Sequence, residues 1–386
     1  MDKLYYLDTN AHIPINPIAL QEYVNFNGSL AGHGHALSHS FTGREAARLL
    51  EEARAKIAAA INCHHPGQII FTSGATQACE WGIKILHNLI NKKDSYKTIM
   101  SSIEHPAVYM VVDDIIGPDP KCILDKFAVT PYGKIILPGQ YDYNYDAVIC
   151  VGVQNEIGTY QPIYEVSDCG KYIFSDMSQM LGKVKIDPGF LGVSIATFGA
   201  HKFGGIPGVG FIYLSDGDYW EAFDTGSRYY LDIAGTPNVA GIYASAIALE
   251  EAEKTLDVRT QKMESFRSKL EPGLEQLGFE IIGKEVPFKD QKNGNEDHCR
   301  LPNVTFAKTP NSKYYTTAIT IMDQLAEKGI YIGLGSACGA LHVGGSVLMH
   351  ALGRPSDGQD YIRISQFGEY DDRDADYVLK CIEAVL

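Results

Sequence analysis

The chain has 386 residues, 45% hydrophobic and 21% charged, with a formal net charge of -14. That is the composition of an ordinary globular protein with room for two domains, and its acidic balance, with no cluster of Lys and Arg, excludes a phosphate-backbone footprint for nucleic acid. No apolar run approaches the roughly 18 residues of a membrane span, and MDKLYYLDTN lacks the apolar centre of a signal peptide, so a cytoplasmic protein is expected.

In chain order, GREAARLLEEARAKIAAAIN, from Gly43 to Asn62, carries apolar residues at helical spacing and predicts an amphipathic helix. QIIFT, KTIMSSI, DAVICVGV, YIFSDMS and SIATF then form short apolar runs separated by helical or loop segments. Strands alternating with crossovers predict α/β architecture, a mainly parallel central sheet with helices on both faces. VGFIYL, after a glycine-rich turn holding Lys202, reads as one more strand. The long helical stretch from Gly241 breaks the alternation, so a boundary is expected near residue 255. The expected division is an N-terminal segment 1–15 packing with the small domain, a large domain 16–255 and a small α+β domain 256–386. RLPNVTFA and IYIGL are strands of the last, and DDRDADYVLKCIEAVL is its closing helix, with acidic residues at its start.

Eight cysteines without a CxxC pair suggest neither a disulfide framework nor a zinc ribbon. Cys63, Cys79, Cys122, Cys150, Cys169 and Cys381 sit in or beside apolar segments and read as small hydrophobes; Cys299 lies in a polar stretch. Cys338, in GLGSACGALHVGG, is surrounded by glycine and small residues instead.

Ligands of open α/β sheets bind beyond the carboxyl ends of the strands. There the sequence places SGAT before a helix, a phosphate cradle in form, then His105, Asn155, Asp176 with Gln179, and His201 with Lys202. Each has a structural alternative: a helix cap, an Asx turn, a satisfied histidine. Together they supply a phosphate handle, an anion for a ring nitrogen, a flat group to stack and a lysine for an aldehyde, the requirements of pyridoxal 5'-phosphate. Nucleotide folds compete for this architecture, but no GxxxxGK[ST] occurs, and GLGSACG is a weak dinucleotide match.

From YLDTNAHIP through FTSGAT, EHPAV, QNEIGTYQPI, SDMSQMLGK, GAHKFGG, GTPN and GSAC to IRIS, the chain resembles the NifS/IscS-type cysteine desulfurases of the class V aminotransferase family. The resemblance implies pyridoxal-phosphate fold type I and conversion of L-cysteine to L-alanine, with a persulfide left on Cys338. It implies that Lys202 takes the cofactor aldehyde and then the substrate's Cα proton, that His105 stacks on the ring, that Asp176 pairs with the ring nitrogen, and that Gln179 and Asn155 lie near the ring oxygen. Ala75, Thr76 and His201 would hold the phosphate, with Thr236 reaching it from the partner subunit of a homodimer. Asn155 and Arg363 would bind substrate, Arg363 taking its carboxylate. His105 is the candidate base for the Cys338 thiol, which must be deprotonated to attack sulfur. A sulfur acceptor protein of unknown identity is also implied.

The sequence departs from that pattern in places. Gly199 stands where the family has Ser or Thr, removing a phosphate hydrogen bond worth ~1 kcal/mol or more. Ile206, Pro207 and Ile233 make the mouth of the site less basic, and HGHALSH, with His33, His35 and His39, replaces the usual segment; no metal site is expected there. Such divergence would suit a viral NifS-like protein, for which virion association would be an alternative location. The competing functions are selenocysteine lyase, another aminotransferase-like reaction, and a catalytically weakened NifS-like binding protein.

Overall fold

The structure, a computed structural model, describes residues 3–137, 139, 144–215, 236–284, 300–310, 317–335, 346–354 and 360–386. The chain opens with β1 (Tyr5–Leu7), α1 (Pro17–Asn27) and α2 (Phe41–Ala60). It then runs through β2 (Ile69–Thr72), α3 (Ala75–Ile90), β3 (Tyr96–Ser101), α4 (Pro106–Ile115), β4 (Cys122–Phe127), β5 (Tyr145–Ile149), α5 (Ile163–Ser167), β6 (Gly170–Asp176), β7 (Ile195–Gly199) and β8 (Gly210–Leu214). Two consecutive helices follow, α6 (Val239–Lys254) and α7 (Leu256–Gln276). The remainder is β9 (Glu280–Ile282), β10 (Val304–Lys308), α8 (Ala318–Glu327), β11 (Ile330–Leu334), α9 (Val347–Ala351), β12 (Tyr361–Ser365) and α10 (Asp372–Glu383).

The large sheet has the order β2-β8-β7-β6-β5-β3-β4. The pairs among β7, β6, β5, β3 and β4 are parallel, and β8 is antiparallel to both β7 and β2. The carboxyl ends of β2, β7, β6, β5 and β3 therefore share one edge. Side chains alternate across the sheet as a two-residue period requires. Ile70, Met100, Ile149, Phe174 and Ile195 pack with α3 and α4 on one face, while Ile69, Phe71, Val148, Ile173 and Ala196 join a core that includes residues of α2 and α6 on the other. Both faces are covered, which is why these runs are almost continuously apolar.

The small sheet, β1-β11-β12-β10-β9, is mostly antiparallel and packs its own core against α7, α8 and α10. Its first strand is the start of the chain, so the residues after β1 pass directly to the large sheet: Ile13 N–H donates to His201 O at 3.0 Å and Asn16 N–H to Gly204 O at 2.9 Å. The helical stretch after Gly241 is two helices broken at Thr255, whose own N–H and hydroxyl both turn back to Glu251 O. Among the described residues no helix is long and apolar enough to cross a membrane. Cys79, Cys150 and Cys169 are buried as expected, whereas Cys63, Cys122 and Cys381 are only half-buried; Cys299 and Cys338 lie outside the described residues.

Candidate active site

Lys202 follows β7 on a short 3-10 turn, Ala200–Lys202, and does not point to solvent. Its Nζ donates to the main-chain oxygens of Asn10 at 2.6 Å and Ala11 at 2.9 Å. Asn10 is the hub that links the strand ends. Its carbonyl also accepts from Gln179 Nε2 at 3.2 Å, its Nδ2 donates to Asn155 O at 3.0 Å, and its Oδ1 accepts from Asn303 Nδ2 at 2.8 Å and Lys183 Nζ at 3.3 Å. Its N–H is held by Ser365 Oγ at 2.9 Å, close in sequence to Arg363 on β12. Neither Asn10 nor Lys183 stands out in the sequence, although both lie in motifs quoted above.

Asp176 closes β6, is buried, and accepts from Ser178 N–H at 3.0 Å, which fixes the carboxylate against its own turn. His105 is the N-cap of α4, and its Nδ1 accepts the Ala107 N–H at 3.1 Å. That bond assigns the proton of the neutral ring to Nε2. Burial pulls the imidazole's pKa down; Asp176 opposes that effect, while Lys202 and Arg363 reinforce it. The ring is accordingly a neutral donor at Nε2 and offers no free basic nitrogen, so the base role expected for His105 does not follow from this geometry. His201 is pushed down to about 3, by burial first and then by Lys202, and its ring lies 6.0 Å from His12 with the planes 13° apart. It too is neutral near pH 7 and able to donate.

Glu104, beside His105, is fully buried and pushed up to about 8 by burial; the Val151 N–H that donates to its Oε1 at 2.6 Å opposes this and the Asp176 carboxylate adds to it. It is a neutral acid at pH 7, and sequence reasoning misses it, because nothing in EHP signals the burial of its first residue. Arg363 is 2% exposed, and its Nη2 donates to Asp8 Oδ1 at 2.8 Å. Its Nε has no hydrogen-bond partner among the described residues. A buried guanidinium with one edge satisfied and an orphaned N–H is suited to a further carboxylate.

The remaining requirement is a phosphate pocket. Gly74, at φ +152, precedes α3, whose N-terminus carries no side-chain cap and no acidic residue, leaving the first N–H groups around Ala75 and Thr76 for an anion. Gly199 faces this turn: a Cβ built there would stand 3.0 Å from Ala75 Cβ and 3.1 Å from the His201 ring. The departure from Ser or Thr therefore coincides with a space already narrowed by Ala75 and His201. A helix N-terminus without its own cap, a neutral imidazole, an orphaned guanidinium N–H, a buried carboxylate and a lysine within one edge fit a phosphorylated pyridine aldehyde and an amino-acid substrate.

Of the other expected contributors, Thr236 is assigned to the site of a second copy; in its own chain it is exposed, and its hydroxyl meets His35 Nε2 at 3.2 Å. Cys338 and Ile233 lie outside the described residues, while Ile206 is buried and Pro207 is exposed.

Comparison with known proteins extends over the whole fold. The aminotransferase class-V family model matches residues 5–376. The chain is 28% identical over 399 aligned residues to the cysteine desulfurase IscS of Clostridium botulinum (strain Hall), covering 100% of this chain and 95% of the relative. It is 30% identical over 383 residues to the putative cysteine desulfurase IscS 1 of Bacillus subtilis (strain 168), covering 95% and 90%. A solved structure described as a NifS-like protein superposes with a TM-score of 0.82 at 28% identity, covering 99% of each chain.

Proposed function

The chain belongs to the class V aminotransferase family, and from that premise we infer a pyridoxal-phosphate-dependent cysteine desulfurase, which converts L-cysteine to L-alanine and retains the sulfur as a persulfide on Cys338. The observation that carries this reading is the buried Asn10 hub, which ties Lys202 and Gln179 to one carbonyl beside Asn155 and the Arg363 strand.

When bound, pyridoxal phosphate supplies an aldehyde for an amine and a cationic ring that accepts the electron pair released at the substrate's Cα. The chain's own groups do the rest. Lys202 Nζ, oriented by two carbonyls at the sheet edge, would hold the aldehyde and serve as the base for the Cα proton. Asp176 would pair with the ring nitrogen. The α3 N-terminus at Ala75 and Thr76, with neutral His201, would hold the phosphate, and Thr236 would add a hydroxyl from a second copy. Asn155 and Gln179 would lie near the ring oxygen. Arg363, held from behind by Asp8, takes the substrate carboxylate. His105 would stack on the ring and donate through Nε2.

We read residues 1–15 as part of the small unit, 16–255 as the large cofactor-binding unit and 256–386 as the unit carrying the Cys338 loop. The protein works as a homodimer in the cytoplasm, where eight thiols without paired spacing stay reduced, and passes sulfur to an acceptor protein. Purified protein given L-cysteine and a thiol reductant is expected to release alanine and sulfide, and borohydride is expected to trap cofactor on Lys202. Cys338→Ala should retain the trapped cofactor and lose sulfide release. Sulfide at the wild-type rate from that variant would remove Cys338 from the mechanism, and selenide release that survives it would favour a selenocysteine lyase.

A further inference from the structure

Lys183 is 1% exposed, one of the largest fully buried side chains of the protein, and none of the roles above uses it. The charged groups acting on it are Lys202, Arg363 and Arg259, all cationic, and burial is the first of the causes that hold its pKa well below the ordinary lysine value. It lowers the His201 imidazole in turn. A lysine placed among cations, with no carboxylate among the described residues to neutralise it, is expensive to keep, so its hydrogen bonds matter.

Those bonds go to two side-chain amides, Gln179 Oε1 at 2.5 Å and Asn10 Oδ1 at 3.3 Å. Both amides are oriented by atoms that can only accept. Gln179 Nε2 faces the Asn10 carbonyl and Asn10 Nδ2 faces the Asn155 carbonyl, so each amide must present its oxygen to Lys183. The ammonium, or the free amine, satisfies both by donating. Asn303 Nδ2 closes the network on Asn10 Oδ1. The Asn10 carbonyl that receives Gln179 Nε2 also receives Lys202 Nζ, so the amide's NH2 edge and the lysine share one acceptor on the cofactor side of the network. Gln179 without Lys183 would lose the shorter of the two contacts that distinguish its ends, leaving only the 3.2 Å bond to the Asn10 carbonyl.

We propose that Lys183 is a positioning residue for the cofactor: by holding Gln179 Oε1 and Asn10 Oδ1 it keeps the amino edge of the Gln179 carboxamide, and not its carbonyl, available to the cofactor's ring oxygen. The inference rests on the proposed place of Gln179 beside that oxygen. A donor there stabilises negative charge on the ring oxygen and so favours the deprotonated form of the lysine–cofactor linkage; turning the carboxamide, or losing it, does the reverse.

The test is a pH titration of the visible absorbance of the cofactor-loaded protein, with no turnover involved. In Lys183→Met the titration midpoint is expected to rise by about one to two pH units, the equivalent of one hydrogen bond to a charged group. In a Gln179→Leu background the same Lys183→Met change should move the midpoint no further. A wild-type midpoint in Lys183→Met overturns the proposal. So does a shift that persists undiminished in the Gln179→Leu background, because Lys183 would then act through its charge and not through the carboxamide. If Lys183→Met does not fold, Gln179→Glu serves instead: it pairs with Lys183, presents only acceptors to the ring oxygen, and must raise the midpoint, an unchanged titration again overturning the idea. A wild-type protein that shows no visible cofactor band after loading, and traps none with borohydride, would refute the cofactor reading itself, which separates the two failures.

Discussion

Replacing Glu104 by Gln is the sharpest probe of the electrostatics at the sheet edge. A carboxyl whose ordinary 4.5 is pushed to about 8 costs roughly 5 kcal/mol to ionise in place, at about 1.36 kcal/mol per pH unit. Between pH 4.5 and about 8 the unfolded chain gives up this proton while the folded chain keeps it, so its contribution to stability falls as pH rises through that window and is constant on either side. The substituted carboxamide does not titrate, so the variant lacks this pH dependence. Its carbonyl can accept the Val151 N–H as Oε1 does, and its NH2 puts two donors where the neutral acid has a single O–H at Oε2, an atom with no hydrogen-bond partner among the described residues; the added buried N–H costs ~1–3 kcal/mol. Urea unfolding of both proteins at pH 5 and pH 8.5 should therefore show Glu104→Gln the less stable at pH 5. The difference should swing toward the variant by on the order of 4 kcal/mol at pH 8.5. Parallel stability profiles would mean that Glu104 is ionised in the folded protein and that the edge is far better solvated than its burial implies.

Other expectations follow from single contacts. Asp8→Ala strips the carboxylate from buried Arg363 and should cost ~3 kcal/mol, and added L-alanine should then raise the unfolding temperature more than in wild type, since its carboxylate replaces the lost partner. Equal stabilisation of both proteins would argue against Arg363 as the carboxylate site. Gly199→Ala places a methyl 3.0 Å from Ala75 Cβ and is expected to destabilise the protein by ~1 kcal/mol or more and to speed loss of the cofactor on dialysis; unchanged retention would show that the pocket relaxes freely. His201 has a depressed folded value of about 3, so it contributes stability above pH 6.5 that is lost as pH falls toward 3. His201→Gln should flatten the acid side of the stability profile, measured by thermal unfolding between pH 4 and 7, and an unaltered acid slope would contradict the neutral assignment.

The strand ends are readable from sequence because each is a local event: an apolar run stops and a polar residue follows. His105, Asn155, Asp176 and Lys202 can be placed on one edge from that pattern and the parallel-sheet rule alone. What joins them cannot. Asn10 reaches Lys202 across 192 positions and Asn303 across 293, and no periodicity encodes such pairings. Strand β4 is hidden because its side chains mostly face water, which leaves the run CILDKF with two interior charges. The break at Thr255 is equally silent, since good helix formers flank it on both sides and only the turn geometry ends α6. The proton position on His105 is a further case: the histidine is visible, but its capping bond to Ala107, which fixes what the ring can do, is a matter of backbone placement.

Strand β1 sits beside β11 in the small sheet, and the residues just after it form the floor under Lys202, with Asn10 anchored to Ser365. Residues 355 positions apart in sequence thus meet beside the lysine. Until β12 has paired, Asn10 lacks its Ser365 anchor and the carbonyl floor under the amine is unset, so capture of the aldehyde is a late event in folding.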